Sequence, residues 1–221
     1  MPEQPFWAER WKKNELGFHA LEVNPHLKKH IETLCPQRDK KVLVPLCGKT
    51  LDLIFLGQHF GEVWGVEYVE RAAIDFFNEN NIEASTEKIH YGKLYKGQNI
   101  RIVVADIFTF LKETPSQFDA LYDRAALIAL EKEKRTRYTQ LLRAKLHEHA
   151  ALLMIALDYP QEEMTGPPFS VSTDELNAHF EAYCELKVLE NKNILQEESR
   201  WRERGVTCMH ETVLCRQARL L

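Results

Sequence analysis

The stretch VLVPLCGKTLDL, residues 42–53, decides the fold. Its apolar run ends at Pro45, a single glycine follows at Gly48, and an apolar pattern with helical spacing begins after Thr50. A buried strand, a tight turn and a helix in this order are typical of the nucleotide-binding corner of an α/β protein. The stretch therefore predicts a ligand-binding turn, and its glycine spacing indicates which ligands fit.

Two common phosphate-binding turns do not fit this stretch. Gly48, Lys49 and Thr50 match the end of the triphosphate-binding motif GxxxxGK[ST], but the first glycine of that motif would fall on Leu43, inside the strand. The dinucleotide motif GxGxxG needs a middle glycine so that the backbone can approach a pyrophosphate, and only Gly48 is present. Nucleoside triphosphates, NAD and FAD are therefore disfavoured.

Acidic residues end the next two predicted strands. Glu67 ends EVWGVE and follows Gly48 by about 20 residues, the spacing at which a carboxylate binds ribose hydroxyls in doubly wound folds. Asp106 ends IRIVVAD, where it can accept from the amine of an adenine beside Ile107, although a helix cap fits it as well. One turn glycine and a ribose-binding carboxylate indicate a nucleoside without a pyrophosphate, and S-adenosylmethionine is such a ligand.

Strand-like apolar runs alternate with helical patterns along most of the chain. This order predicts an α/β fold, doubly wound, with a parallel sheet covered by helices on both faces. The last two runs, CELKVLENKN and VTCMHETVLCRQ, follow after the alternation ends, so they predict an antiparallel pair at one edge. The fourth strand, FDALYD, leads into Asp123 and Arg124, which either face a catalytic crevice or form a local salt bridge.

Composition excludes several classes of protein. The formal net charge is −4, and the densest charge run, EKEKRTR, mixes both signs, so no basic stripe marks a nucleic-acid surface. The five cysteines form no CxxC pair, the N-terminus is polar, and no stretch is long and apolar enough for a bilayer. These features predict a cytoplasmic protein with free thiols and a small-molecule substrate, without a metal site, and we expect a monomer.

Segments from Phe6 to Cys208 match one family in order. They include FWAERW, VLVPLCGKTLDL, GVEYVERA, YDRAAL, GPPFSVS and RWRERGVTC. Together they resemble the thiopurine S-methyltransferases, especially the bacterial members, because PLCGK followed by an Asp-Leu pair is unusual among methyltransferases. The resemblance implies a single class I (Rossmann-like) methyltransferase domain over residues 1–221, with seven strands, the last antiparallel, and a helical lid over residues 1–35.

The resemblance also implies ligands and contacts. S-adenosylmethionine would be the methyl donor and S-adenosylhomocysteine the product, with a thiopurine or another aromatic thiol, or a selenium or tellurium compound, as acceptor. The implied cofactor contacts are Trp7, Trp11, Leu46, Gly48, Glu67, Asp106, Ile107 and Arg124. The implied substrate contacts are Phe18, Arg124 and Arg200, and the match of Arg200 depends on a count through a stretch that also holds Arg202 and Arg204.

Methyl transfer from a sulfonium is an in-line displacement, so positioning and exclusion of water matter most. Trp7, Trp11 and Phe18 are predicted to exclude water as part of the lid. Arg124 is predicted to favour the thiolate form of the acceptor, and His19 is a candidate base whose alternative is a packing or surface role. Two other functions stay open: a non-catalytic nucleoside-binding regulatory protein, and an NAD-dependent oxidoreductase.

Overall fold

The structure, a computed structural model, describes residues 4–13, 19–124 and 126–216. Its strands are β1 Lys41–Pro45, β2 Glu62–Glu67, β3 Ser85–Ile89, β4 Gly92–Gly97, β5 Ile100–Val104, β6 Phe118–Asp123, β7 Leu146–Asp158, β8 Leu186–Asn193 and β9 His210–Arg216. Its α-helices are α1 Gln4–Lys12, α2 Pro25–His30, α3 Asp52–Gly57, α4 Glu70–Glu79, α5 Ile107–Glu113, α6 Ala126–Ala129, α7 Lys132–Arg143, α8 Thr173–Phe180 and α9 Ser199–Glu203. Short 3₁₀ helices lie at Ile31–Leu34 and Gln161–Glu163.

The strands form one sheet in the order β3-β4-β5-β2-β1-β6-β7-β9-β8. The five central strands, from β5 to β7, pair in parallel, as the alternating pattern predicted. The chain runs outward from β1 through β2 to β5, and then returns to the other side of β1 with β6. Ligands bind in open α/β sheets beside such a reversal, at the carboxyl ends of the strands.

Helices cover both faces of the sheet, because side chains alternate along each strand. Leu43 of β1 belongs to one core with Phe110 of α5. Its neighbour Val42 belongs to the opposite core with Leu53 of α3. All four side chains are fully buried, and burial of each contributes about 1.5–3 kcal/mol to folding.

The prediction of seven strands was wrong, because nine lie among the described residues. The two additional strands, β3 and β4, form an antiparallel hairpin that joins β5 at one edge of the sheet. The segment STEKI of β3 is almost entirely exposed, so it carries no apolar run. In β4 only Leu94 and Tyr95 are buried hydrophobic residues. An edge strand needs few buried side chains, and hydrophobic periodicity therefore misses it.

The opposite edge confirms the predicted antiparallel pair. The last strand, β9, runs antiparallel to β7, with Met154 opposite Leu214, and antiparallel to β8, with Lys192 opposite Glu211. The charged stretch between β8 and β9 contains α9. This arrangement brings the charged segment 199–204 toward the carboxyl end of β7.

The N-terminal helices pack beside the carboxyl ends of the central strands. Trp11 of α1 is buried against Val69 and Ala72 at the start of α4. The helix α2 begins at Pro25, and the Asn24 side chain caps it by accepting from the backbone N–H groups of His26 and Leu27. A lid function for residues 1–35 stays a prediction, and Phe18 lies outside the described residues.

Candidate active site

A cavity of about 450 Å³ opens at the carboxyl ends of the central strands. Its volume lies in the range of ligand-binding clefts, about 300–1,000 Å³. Six of the predicted contacts line it: Trp7, Trp11, Leu46, Glu67, Arg124 and Arg200. These residues come from α1, from the ends of β1, β2 and β6, and from α9, so the fold brings together side chains that are far apart in the sequence.

The turn after β1 is tight, as the sequence predicted, and two of its residues have positive φ angles. Leu46 has a φ of 48° and Gly48 a φ of 54°, both in the left-handed region. Gly48 adopts this conformation without steric cost, whereas Leu46 stores strain, and strain of this kind tends to cluster at functional sites. Leu46 lines the cavity. Gly48 is not among the described residues that line the cavity, but its backbone N–H donates to the carboxylate of Glu67, which does line it.

Glu67 is buried and fixed rather than solvated at the strand end. Its Oε2 accepts from the backbone N–H of Gly48 at 2.9 Å, and its Oε1 accepts from those of Tyr68 and Val69 at 2.7 and 2.8 Å. Burial raises the pKa of Glu67, and the three backbone hydrogen bonds oppose that rise. The carboxylate thus ties the turn after β1 to the start of α4 while it faces the cavity.

Cys47 packs inside this turn. Its thiol is buried, and its Sγ would lie 2.6 Å from a Cβ added to Gly65, so a side chain at that position would clash with it. Burial raises the pKa of Cys47 well above its ordinary value, with the Glu67 charge adding to the effect. A thiol that stays protonated is a poor nucleophile. Cys47 is therefore a packing residue of the turn.

Arg124 and its neighbour Asp123, at the end of β6, contact different parts of the structure. Arg124 lines the cavity, and its Nη1 lies 3.8 Å from Oδ2 of the buried Asp52. Asp123 is buried and accepts from the Tyr138 hydroxyl at 2.8 Å and from the backbone N–H of Ala126 at 3.0 Å. Asp123 therefore anchors α6 instead of pairing locally with Arg124.

The burial of Asp123 predicts a pH dependence of stability. Burial raises its pKa from 3.8 to about 6 in the folded protein. The folded state therefore holds this proton more tightly than the unfolded state does, so the contribution is fully present below pH 3.8 and is lost as pH rises through about 6. We expect the free energy of unfolding to fall by on the order of 3 kcal/mol across this window from this group alone.

Asp123→Asn should flatten that slope, as measured by urea unfolding at several pH values between 4 and 7. Asp119→Asn is the matched control. Asp119 lies on the same strand but is only partly buried, and its carboxylate accepts a hydrogen bond from the backbone N–H of Lys41. An unchanged slope in Asp123→Asn would contradict the assignment.

Two predicted cofactor contacts lie elsewhere. Asp106 caps α5 by accepting from the backbone N–H of Thr109 at 2.9 Å, the alternative that its position allowed. Ile107 is fully buried in the core. Among the described residues that line the cavity, neither appears. Their contact with an adenine stays a prediction.

His19 lines the cavity beside the N-terminal helices. Burial lowers its pKa, and the positive charge of Lys49 lowers it further. Its imidazole is therefore neutral at neutral pH, the form in which a histidine accepts a proton. Its position keeps it available as the candidate base.

The cavity lining also includes apolar residues and two arginines, Arg200 and Arg204, from the charged segment 199–204. Arg200 pairs with Glu198 and lies 4.4 Å over the Trp201 ring. Arg204 also lies over that ring, at 5.4 Å, and lines the cavity, whereas Arg202 does not line it. The apolar lining includes Ile128, Leu157, Pro167 and Pro168. Sequence reasoning missed Arg10 and Arg204 as lining residues, although GPPFSVS marked the two prolines.

Within the described residues, no group of three or more histidine, cysteine or acidic side chains is arranged to hold a metal ion. In the same part of the chain, no helix has the length and apolar character needed to cross a membrane.

The parallel sheet with its order reversing beside β1 and the antiparallel last strand define the class I methyltransferase fold. A solved structure described as an SAM-dependent methyltransferase from Anabaena variabilis ATCC 29413 shares this fold, with a TM-score of 0.62. It is 14% identical, and the match covers 98% of this chain and 95% of that one.

Sequence comparison then narrows the class to one family. The family model for thiopurine S-methyltransferase matches residues 2–219. A thiopurine S-methyltransferase from Pseudomonas aeruginosa (strain UCBPP-PA14) is 40% identical over 208 residues, which cover 94% of this chain and 95% of the relative. One from Xanthomonas axonopodis pv. citri (strain 306) is 40% identical over 214 residues, 97% and 98% of the two chains. The chain belongs to the thiopurine S-methyltransferase family.

Family membership confirms that the protein is an enzyme and that S-adenosylmethionine is its methyl donor. The resemblance drawn from PLCGK and YDRAAL is therefore confirmed. The interpretations as a regulatory protein and as an NAD-dependent oxidoreductase are set aside.

Proposed function

We propose that this enzyme transfers a methyl group from S-adenosylmethionine to the sulfur of aromatic or heterocyclic thiols, with thiopurines among them. One observation carries the proposal. A single cavity is lined by Leu46 and Glu67, which suit a nucleoside, and also by apolar residues together with Arg124 and Arg200. A donor and an acceptor bound there together would meet within one cavity.

The residues present fit the donor. Glu67 offers a buried carboxylate for ribose hydroxyls, and the turn that contains Leu46 and Gly48 would lie beside the amino-acid end. Trp7 and Trp11 line the cavity next to them, and aromatic faces attract a cation by about 0.5–2 kcal/mol per contact. The sulfonium supplies a methyl group already activated for displacement. The protein has only to bind, orient and exclude water.

The acceptor side supports an aromatic thiol. Ile128, Leu157 and the pair Pro167–Pro168 give it an apolar wall suited to a flat ring. The guanidinium of Arg124 favours the thiolate over the thiol by charge proximity. His19, neutral at neutral pH, is the candidate to accept the proton when the bound acceptor is still a thiol. Trp7, Trp11 and Phe18 remain the predicted lid.

Methyl transfer from labelled S-adenosylmethionine tests the proposal directly. We expect labelled product with thiophenol and with a thiopurine. The same assay with selenium and tellurium oxyanions tests the second acceptor class, which the arginine-rich side of the cavity favours through attraction of anions. Binding of S-adenosylhomocysteine without transfer to any thiol would overturn the S-methyltransferase proposal.

We also propose that residues 1–221 act as a single methyltransferase domain, as a monomer, in the cytoplasm. All five cysteines are free thiols, as expected of a protein kept in a reducing compartment. Sedimentation of the purified protein tests the monomer, and a dimeric mass at micromolar concentration would contradict it.

A further inference from the structure

Asp52 is a buried acid that the proposed chemistry does not use. It is the first residue of α3, directly after the turn that follows β1, and its exposed fraction is 0%. A buried carboxylate is costly unless neighbouring groups satisfy its charge and its oxygens. The identity of those neighbours therefore indicates what this residue is for.

Three groups surround the Asp52 carboxylate. Oδ1 accepts from the backbone N–H of Asn24 at 2.7 Å, and Oδ2 accepts from the Tyr122 hydroxyl at 3.0 Å. Nη1 of Arg124 lies 3.8 Å from the same Oδ2. Burial and the Asp52 charge raise the pKa of Tyr122 well above its ordinary value, so its hydroxyl stays a hydrogen-bond donor.

Two of these three neighbours belong to the cavity wall. Arg124 lines the cavity, and so does Asn24 with the first residues of α2. The Asn24 side chain caps α2, so a bond that holds the Asn24 backbone also holds the start of that helix. One carboxylate on α3 thus connects the ligand-binding turn to two separate parts of the wall.

We propose that Asp52 is a positioning residue of this methyltransferase: its buried carboxylate holds the Arg124 guanidinium in place at the cavity wall. The inference rests on the proposed function, because Arg124 acts there on the acceptor sulfur. Asp52 does not line the cavity, so it works only through its neighbours.

The physical reason is the freedom of an arginine side chain. Three-quarters of the Arg124 side chain is buried, and its charged end has an acidic partner in Asp52 at 3.8 Å. Without that charge the long side chain regains alternative rotamers. A displacement of about 1 Å at a reacting centre lowers a rate by up to about 100-fold. Loss of Asp52 should therefore act on turnover through Arg124.

A double-mutant cycle tests this route. Asp52→Asn keeps the size and the Oδ1 acceptor but removes the charge, and Arg124→Gln removes the guanidinium. For an acceptor whose thiol is mostly protonated at the assay pH, we expect Asp52→Asn to lower kcat/KM by about tenfold in the wild-type background, and by less than about twofold in Arg124→Gln. Equal losses in both backgrounds would overturn the proposal, because a purely structural role would not depend on Arg124.

Asp119→Asn is the matched control for the cycle. Its carboxylate also accepts a backbone N–H, from Lys41 at 2.8 Å, but it lies near the opposite end of β6. We expect it to leave kcat/KM within about twofold of wild type. A tenfold loss in this control would show that any carboxylate change near β6 lowers activity, and it would overturn the proposal.

A second measurement covers the case in which Asp52→Asn does not fold. Arg124→Gln leaves the buried Asp52 charge without its cation, so its unfolding midpoint should fall by about 3 °C. A midpoint within about 1 °C of wild type would overturn the proposal. An inactive wild-type protein would instead refute the proposed function, whereas an active one with an additive cycle would refute the Asp52 inference alone.

Discussion

Glu67→Gln is expected to lower the affinity for S-adenosylhomocysteine by about 100-fold. In the wild-type protein both carboxylate oxygens accept from backbone N–H groups. An amide group in place of one oxygen would set a donor against a donor, either at Gly48 or at the start of α4. A buried N–H left without its acceptor costs about 1–3 kcal/mol, and loss of a charged bond to ribose costs about 1.5–3 kcal/mol.

Isothermal titration calorimetry with S-adenosylhomocysteine measures this effect. Glu62→Gln is the matched control, because Glu62 begins the same strand and accepts from the Trp64 indole N–H at 2.9 Å. It is not among the cavity-lining residues of the described chain. Affinity of Glu67→Gln within about threefold of wild type would contradict a role for Glu67 in holding the donor.

Arg124→Gln is expected to reduce turnover at pH 7 by about 10- to 100-fold for an acceptor whose thiol is mostly protonated at that pH. A nearby cation lowers the pKa of an acidic group by about 1–3. Loss of about 1–2 of this pKa shift lowers the thiolate fraction by about 10- to 100-fold. Because the thiol ionises unaided at higher pH, the deficit should shrink as pH rises toward 9. An acceptor already ionised at pH 7 should show a smaller loss.

The pH profiles of kcat for two acceptors separate this role from simple misfolding. Arg101→Gln is the matched control: its side chain is 26% exposed against 25% for Arg124, and it also pairs with an acid, Glu62 at 3.2 Å. Arg101 lies on β5, away from the described cavity lining. A deficit that is the same at every pH and for both acceptors would contradict the thiolate role.

The hydrophobic pattern of short segments was sufficient to predict the strands that alternate with helices along the chain. The five central parallel strands and the antiparallel pair at the end both follow from periodicity in short windows. The β3–β4 hairpin did not, because its exposed side chains leave too little apolar signal. Asp106 and Asp123 were both placed at the right end of the sheet; Asp106 takes the cap that its position allowed, whereas the bonds of Asp123 to Tyr138 and to α6 were not indicated by the sequence.

The sequence by itself determined the strand–turn–helix at residues 42–53, the parallel sheet and the family, because these depend on neighbouring residues and on motifs in order. Only the tertiary structure decided which groups the charged side chains contact. Asp52 meets Asn24 and Arg124, Asp123 meets Tyr138, and Arg204 reaches the cavity. Periodicity states which face of a strand or helix is buried. It does not state which distant side chain will lie opposite, since that depends on how whole elements pack.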